Sequence, residues 1–274
     1  MATVSVVQMS SAATWAENKA SVDALFEKLP PARPQLVLLP EAFSCFGAGE
    51  ANIQKHAEPI GTGPVQSYLA SLAKKHNVWL LAGTLPIQSG TRYAAASLLF
   101  NSAGEQCARY DKIHLFDAAV ADNTKQYQES KYTQAGTETC VVDTPFGRLG
   151  LAICYDVRFP ELFRQLRAEG AELISLPSAF TKVTGAAHWD ILIRARAIEN
   201  QVFMLAPNQC GVHADGRETW GHSMLVDPWG KVLAQQSTGV GIASATLDMK
   251  ALAAVRENMP VVAHNRFEVR FLNE

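Results

Sequence analysis

The sequence predicts an α/β fold, a four-layer α-β-β-α sandwich of two pseudo-symmetric halves, and three observations carry that expectation. Short runs rich in Val, Ile and Leu alternate with stretches of helical spacing. Charged residues make up only 18% of the chain against 48% hydrophobic, the balance expected of strands buried on both faces. The second half also echoes the first. Leu36-Val-Leu-Leu-Pro-Glu-Ala-Phe43 matches Leu173-Ile-Ser-Leu-Pro-Ser-Ala-Phe180 at five of eight positions, and Val78-Trp-Leu-Leu-Ala82 matches Val202-Phe-Met-Leu-Ala206 at three of five.

Val4 to Met9 alternates like a first strand and lacks the basic region of a targeting signal. Trp15 to Lys28 has helical spacing and leads to a second strand, Leu36 to Leu39. Pro64 opens a helix that runs to His76, since proline's missing N–H costs nothing in a first turn. A third strand, Val78 to Leu81, precedes Asn101-Ser-Ala-Gly-Glu105, which reads as a hairpin turn. Asp117 to Thr139 is a long polar loop of the kind that covers sites. The order then repeats: strand Leu149 to Cys154, helix Pro160 to Glu169, strand Leu173 to Leu176, helix His188 to Asn200, strand Val202 to Ala206 and hairpin turn Asp227-Pro-Trp-Gly-Lys231. Each half is a strand-helix-strand-helix unit closed by a hairpin, and two such units packed sheet on sheet place their helices outside. No Pro/Gly/Ser-rich linker divides them, so residues 1–274 read as one domain.

With 24 basic against 26 acidic residues and no basic stripe, nucleic acid is not expected as a partner. No apolar run approaches the ~18 residues of a membrane span. The five cysteines, at 45, 107, 140, 154 and 210, are odd in number and form no C-x-x-C pair. That argues against disulfides or structural zinc and for the reducing cytoplasm. Neither H-E-x-x-H nor a Cys/His cluster is present, so no metal or other cofactor is expected.

A free cysteine is by default a small buried hydrophobe. Cys107 and Cys140 lie in strand-like stretches and fit that reading, Cys210 stands at a strand end where it could line a pocket, and Cys45 sits in a loop close to Glu41. Cys154 differs, because it ends a strand and the chain turns through Tyr155-Asp-Val-Arg-Phe159 into the helix at Pro160. A strand-to-helix elbow holds a nucleophile at the sheet edge beside backbone N–H groups able to donate to an oxyanion. Glu41 follows a buried strand, where a carboxylate is costly unless paired or used. Lys112 ends another strand, in Tyr110-Asp-Lys-Ile-His-Leu-Phe-Asp117, and by itself a lysine there reads as snorkelling.

Taken together, Glu41 in LLPEAF, Lys112 in YDKIHLFD and Cys154 in GLAICYDVRFPEL resemble the three motifs of the nitrilase-like carbon-nitrogen hydrolase superfamily. The resemblance extends to SLPSAFT, HWDILIRARAIENQ and GHSMLVDPWGKVLA, and is greatest to the deaminated glutathione amidases, with the omega-amidases acting on 2-oxoglutaramate next. It implies a small-molecule amide substrate and a covalent thioester. In that scheme Glu41 is the base, Cys154 the nucleophile, and Lys112 with the Tyr155 N–H hold the oxyanion. A carboxylate and a free thiol differ by about four pKa units, a gap to be closed by burial of the carboxylate and by Lys112 lowering the thiol. The resemblance also implies a second carboxylate, assigned to Glu129. Ser178, Phe180 and Thr181, in the turn that repeats Glu41's own, are expected to bind the acyl group, while Arg158 and the set Arg194, Arg196 and Glu199 read as structural. A homodimer or homotetramer is expected, with the C-terminal tail from about 257 to 274 in its interface. Two rivals stand beside this reading: a papain-like pairing of Cys154 with His188, His213 or His222, and a non-catalytic scaffold on the same fold.

Overall fold

The computed structural model describes residues 2–272, so Met1 and the last two residues of the tail assigned to an interface lie outside it. The first half runs β1 (Ala2–Gln8), α1 (Trp15–Phe26), β2 (Gln35–Leu38), a short α2 (Glu50–Lys55), α3 (Pro64–His76), β3 (Trp79–Leu81), β4 (Leu85–Ser89), β5 (Arg92–Phe100) and β6 (Gln106–Asp111). A small hairpin, β7 (Asp117–Ala119) and β8 (Gln126–Gln128), leads to β9 (Val141–Thr144), β10 (Gly147–Leu151), α4 (Pro160–Ala168), β11 (Leu173–Ser175), α5 (Lys182–Asn200) and β12 (Phe203–Ala206). The chain closes with β13 (Cys210–Val212), β14 (Glu218–Trp220), β15 (Ser223–Val226), β16 (Val232–Gln236), β17 (Gly241–Leu247), α6 (Met249–Asn258) and α7 (Val261–His264).

Two sheets form, ordered β17-β1-β2-β3-β5-β4 with β6 on β5, and β16-β15-β12-β11-β10-β9. In both, three parallel strands are followed by an antiparallel one: β1, β2, β3 and β5 against β10, β11, β12 and β15. Alternation along the strands sorts side chains into layers. Val4, Val6, Leu36, Leu38 and Leu99 of one sheet meet Leu149, Leu151, Leu173, Phe203 and Leu225 of the other. On the outer faces, Val7, Val37 and Leu80 pack against Phe26 of α1 and Leu69 of α3. Ile174, Met204 and Met224 pack against Phe163 of α4 and Trp189 of α5. Four layers with three apolar seams explain the low charge fraction, because β2, β12 and β15 are buried on both faces.

The duplication extends to single hydrogen bonds. Asn101 Oδ1 accepts from the N–H groups of Ala103 and Glu105, and Asp227 Oδ1 accepts from those of Trp229 and Lys231. Helices α3 and α5 both end in a left-handed residue, Asn77 and Gln201, each at φ 51°.

Three elements depart from the sequence expectation. Helix α5 begins at Lys182 rather than His188; Gly185, which weakens the helical pattern, is required because a Cβ there would stand 2.3 Å from Trp220 Cβ. The strand expected to reach Cys154 stops at Leu151, and Cys154 opens a 3-10 turn to Arg158. β17 leaves the second half and pairs antiparallel with β1, so the halves are laced together rather than stacked as separate units.

Candidate active site

Glu41, Lys112 and Cys154 reach one place from three loops at the same end of the two sheets. Glu41 follows Leu39 and Pro40 beyond β2, Lys112 follows β6, and Cys154 follows β10. The loop after β2 is pinned on both sides. Ala42, at φ 54°, donates its N–H to Thr84 Oγ1 (2.8 Å), and the Glu41 carbonyl accepts from Gln209 Nε2 (2.9 Å). Cys154 has φ 45°, a left-handed conformation costing a non-glycine residue about 1–3 kcal/mol, and its N–H donates to Pro177 O (2.9 Å).

Lys112 is 2% exposed. Its ammonium donates to Glu41 Oε1 (2.8 Å) and to both oxygens of Glu129 (3.0 and 2.9 Å). Glu129 in turn accepts from the Phe116 N–H, and Glu41 Oε2 accepts from the Ala179 N–H (2.8 Å). That last bond joins the Glu41 turn to its own repeat in the second half.

Two carboxylates around one ammonium set the electrostatics. Burial alone would push Lys112 down, but Glu129 and Glu41 hold it well above the ordinary lysine range. Burial raises Glu129, and the negative Glu41 adds to this against the pull of Lys112, leaving it at about 7. The Cys154 thiol goes the opposite way from expectation. Burial first, then Glu41, push it well above the usual cysteine range, and Lys112 offsets only part of this. The resting group is therefore a neutral thiol beside Glu41 and the Ala179 N–H.

Cys154 borders two lobes of open space. The larger, about 380 Å³, is lined by Glu41, Lys112 and Glu129 and extends past Phe46, Tyr93 and Arg217. Asn123, Thr124, Gln126, Tyr127 and Gln128 cover it, so the long polar loop lies over the site, folded as the β7-β8 hairpin. The smaller lobe is lined by Phe116, Tyr155, Arg158, Phe180, Thr181 and Thr184.

The turn expected to bind the acyl group is divided. Phe180 and Thr181 face the lobes, whereas Ser178 is fully buried, turned back to donate its hydroxyl to Leu176 O (3.0 Å), and lines neither. Arg158, read as structural, lines the smaller lobe with its guanidinium 5.3 Å from the Phe180 ring and 5.9 Å from that of Tyr155; it meets His188 Nδ1 (3.3 Å) and, among the described residues, no carboxylate. Arg217 escaped the sequence reading, since A-D-G-R reads only as a turn. It lines the larger lobe over the Phe46 ring (4.5 Å), clamped by Asp215 (2.7 Å) and Glu50 (3.2 Å).

The other cysteines separate clearly. Cys45 lines the larger lobe, Cys210 is buried outside both, and Cys107 is exposed rather than buried. Of the histidines weighed as partners, His213 is engaged by Ser11 O and Thr219, while His188 and His222 line neither lobe. The described residues contain no His/Cys/Asp/Glu group able to hold a metal ion, and no helix among them is long and apolar enough to cross a membrane.

Comparisons with known proteins bear on the family and the fold. Residues 3–257 match the family described as carbon-nitrogen hydrolase. A deaminated glutathione amidase of Yersinia enterocolitica is 45% identical over 97% of this chain and 93% of its own. The human deaminated glutathione amidase is 36% identical over 96% of this chain and 82% of its own. Among solved structures, Saccharomyces cerevisiae Nit3, described as a member of branch 10 of the nitrilase superfamily, superposes with a TM-score of 0.84 at 30% identity, covering 97% of this chain and 96% of its own. The NitFhit protein of Caenorhabditis elegans gives a TM-score of 0.91 at 39% identity, over 99% of this chain and 67% of its own. The chain belongs to the carbon-nitrogen hydrolase family, and is a hydrolase of carbon-nitrogen bonds other than peptide bonds.

Proposed function

We propose that the protein is an amidase that cleaves deaminated glutathione to 2-oxoglutarate and cysteinylglycine through a thioester on Cys154. The observation that carries this reading is the cavity shape. The nucleophile stands between a small lobe bearing Arg158, whose guanidinium meets His188 Nδ1 (3.3 Å) and no carboxylate among the described residues, and a lobe of about 380 Å³. The second falls in the range of sites that enclose drug-sized ligands. An amide that released only ammonia would leave most of that volume to water, whereas a dipeptide leaving group occupies a substantial part of it. The smaller lobe, about 20 Å³, has room for only the carboxylate tip of the 2-oxo acid end, which meets Arg158 there with Thr181 and Thr184 as hydroxyl donors.

In the mechanism, Glu41 takes the proton of the neutral Cys154 thiol as Sγ bonds to the amide carbon, so that no thiolate need persist in the resting site. Negative charge moves to the carbonyl oxygen, where the Lys112 ammonium and the Tyr155 N–H receive it. Tyr155 is the first residue after the nucleophile in a 3-10 turn, where N–H groups lack acceptors within the turn. The C–N bond breaks as Glu41 returns the proton to the departing amine. Water deprotonated by Glu41 then attacks the thioester, releasing the acid and restoring the thiol. Glu129 holds Lys112 in place through both of its carboxylate oxygens.

The same reading takes residues 1–274 as one catalytic domain that works in the cytoplasm without a cofactor, as a homodimer or homotetramer. Exposed Ile191, Ile198 and Trp229 on the helical face, with Phe267 and Leu272 on the tail, support association. The test of the substrate is kcat/KM measured side by side for deaminated glutathione, 2-oxoglutaramate and a simple nitrile. A preference of at least tenfold for the first is expected, and equal or higher values for 2-oxoglutaramate would overturn the assignment.

A further inference from the structure

Asp156 is a buried carboxylate that the mechanism above does not use. It is completely shielded from solvent and lines neither lobe. Its oxygens accept four hydrogen bonds: Oδ2 from the Ile153 N–H (2.8 Å) and the Tyr110 hydroxyl (2.8 Å), Oδ1 from the His114 N–H (3.1 Å) and His114 Nδ1 (2.7 Å). Four donors fill the acceptor capacity of a carboxylate. Their addresses matter more than their number. Ile153 immediately precedes Cys154, and Tyr110 and His114 flank Lys112 two residues to either side. The two segments continue from β10 and β6, which belong to different sheets. The His114 ring is further fixed by stacking on Phe159, 3.7 Å away and 6° from parallel.

We infer that Asp156 is a positioning residue that sets the Cys154 elbow against the Lys112 segment, and so fixes the gap across which the oxyanion forms. Burying a carboxylate is a poor route to stability when a neutral or apolar contact would serve. Its four charge-assisted bonds instead fix the register of these two segments, one from each sheet, which packing alone would leave free to shift. A displacement of about 1 Å between catalytic groups can cost on the order of 10²-fold in rate. Asparagine cannot replace the clasp. Its single amide oxygen serves either Ile153 and Tyr110 or His114, and its NH₂ then faces donors on the other side.

The inference rests on the roles proposed for Cys154 and Lys112, and its tests use any amide the enzyme turns over, so they do not depend on the natural substrate. In Asp156→Asn, kcat is expected to fall about 10–100-fold with KM within about twofold, because Asp156 touches no part of the cavity. In a Lys112→Met background the same substitution is expected to cost less than about threefold, since the group it aligns is gone. A folded Asp156→Asn protein with kcat within twofold of wild type would overturn the inference. So would a loss confined to KM, or equal costs in both backgrounds, which is the behaviour of a merely structural residue. If Asp156→Asn does not fold, Tyr110→Phe and His114→Ala decide it: each is expected to lower kcat at constant KM, and an unchanged kcat in both would refute the positioning role. Residual turnover by Cys154→Ala would instead defeat the functional reading beneath it.

Discussion

Replacing Lys112 by Met removes the ammonium but keeps most of the volume of its stem, and it exposes the charge arithmetic of the site. The Lys112 ammonium lies 2.8 Å from Glu41 and 2.9 Å from Glu129. Without it two buried carboxylates face each other across a site with no counter-ion, and breaking a buried ion pair in this way costs about 3–5 kcal/mol. For 274 residues the unfolding entropy is about 0.6 kcal/mol/K, so the thermal midpoint should fall by about 5–9 °C. Turnover should fall at least ~10²-fold in kcat, the loss expected when an oxyanion donor is deleted, with KM little changed. Adding Glu129→Gln removes the surplus carboxylate and should restore about 1–3 kcal/mol of stability with no return of kcat. Steady-state kinetics with denaturant unfolding of the single and double variants reads both effects. A Lys112→Met enzyme within tenfold of wild type in kcat, or a double variant that regains kcat with its stability, would refute the argument.

Because burial raises Glu129 from 4.5 to about 7, the folded protein binds a proton between those values that the unfolded chain does not. Its contribution is present at low pH and lost as pH rises toward 7, by at most about 3 kcal/mol. Denaturant unfolding from pH 5 to 8 should show wild type losing stability relative to Glu129→Gln, and parallel curves would contradict this. The raised Cys154 thiol predicts that its alkylation by iodoacetamide keeps accelerating up to pH 9; a plateau near pH 6 would indicate a resting thiolate. Arg158→Met should raise KM for 2-oxo acid amides about 10–100-fold through loss of a charge-assisted contact, and an unchanged KM would return Arg158 to a structural role.

Much of this architecture is legible in the chain because it is periodic. Strand burial, the proline-opened helices and both hairpin turns depend on neighbours within a few residues, and the repeats of LPEAF and VWLLA reveal the pseudo-symmetry. What could not be read depends on distant contacts. Gly185 discourages a helix until Trp220 is seen against it, and β17 carries no mark that directs it to the other sheet. In the site, the residue types of Glu41, Lys112 and Cys154 indicate chemistry, but their mutual electrostatics do not follow. The net rise of the Cys154 thiol results from burial and Glu41 outweighing Lys112, a balance set by geometry. Ser178 illustrates the limit of arguing by repeat. It occupies the position equivalent to Glu41, yet its hydroxyl satisfies its own strand end while the neighbouring Ala179 N–H does the work of contact.

The pairing of β1 with β17 has a consequence for the order in which the molecule can be made. Ser5 and Ser244 share a hydrogen bond across 239 positions of chain. During synthesis at about 5–20 residues per second, the first strand waits on the order of 10–50 s for its edge partner. Throughout that interval β1 presents an unpaired edge of the kind that recruits other chains. The Ala179 N–H that orients Glu41 also arrives long after Glu41 itself. A ribosome-bound fragment ending before β17 should therefore depend on chaperones and aggregate more readily than the released chain, making the last strand the latch that ends the protein's vulnerable period.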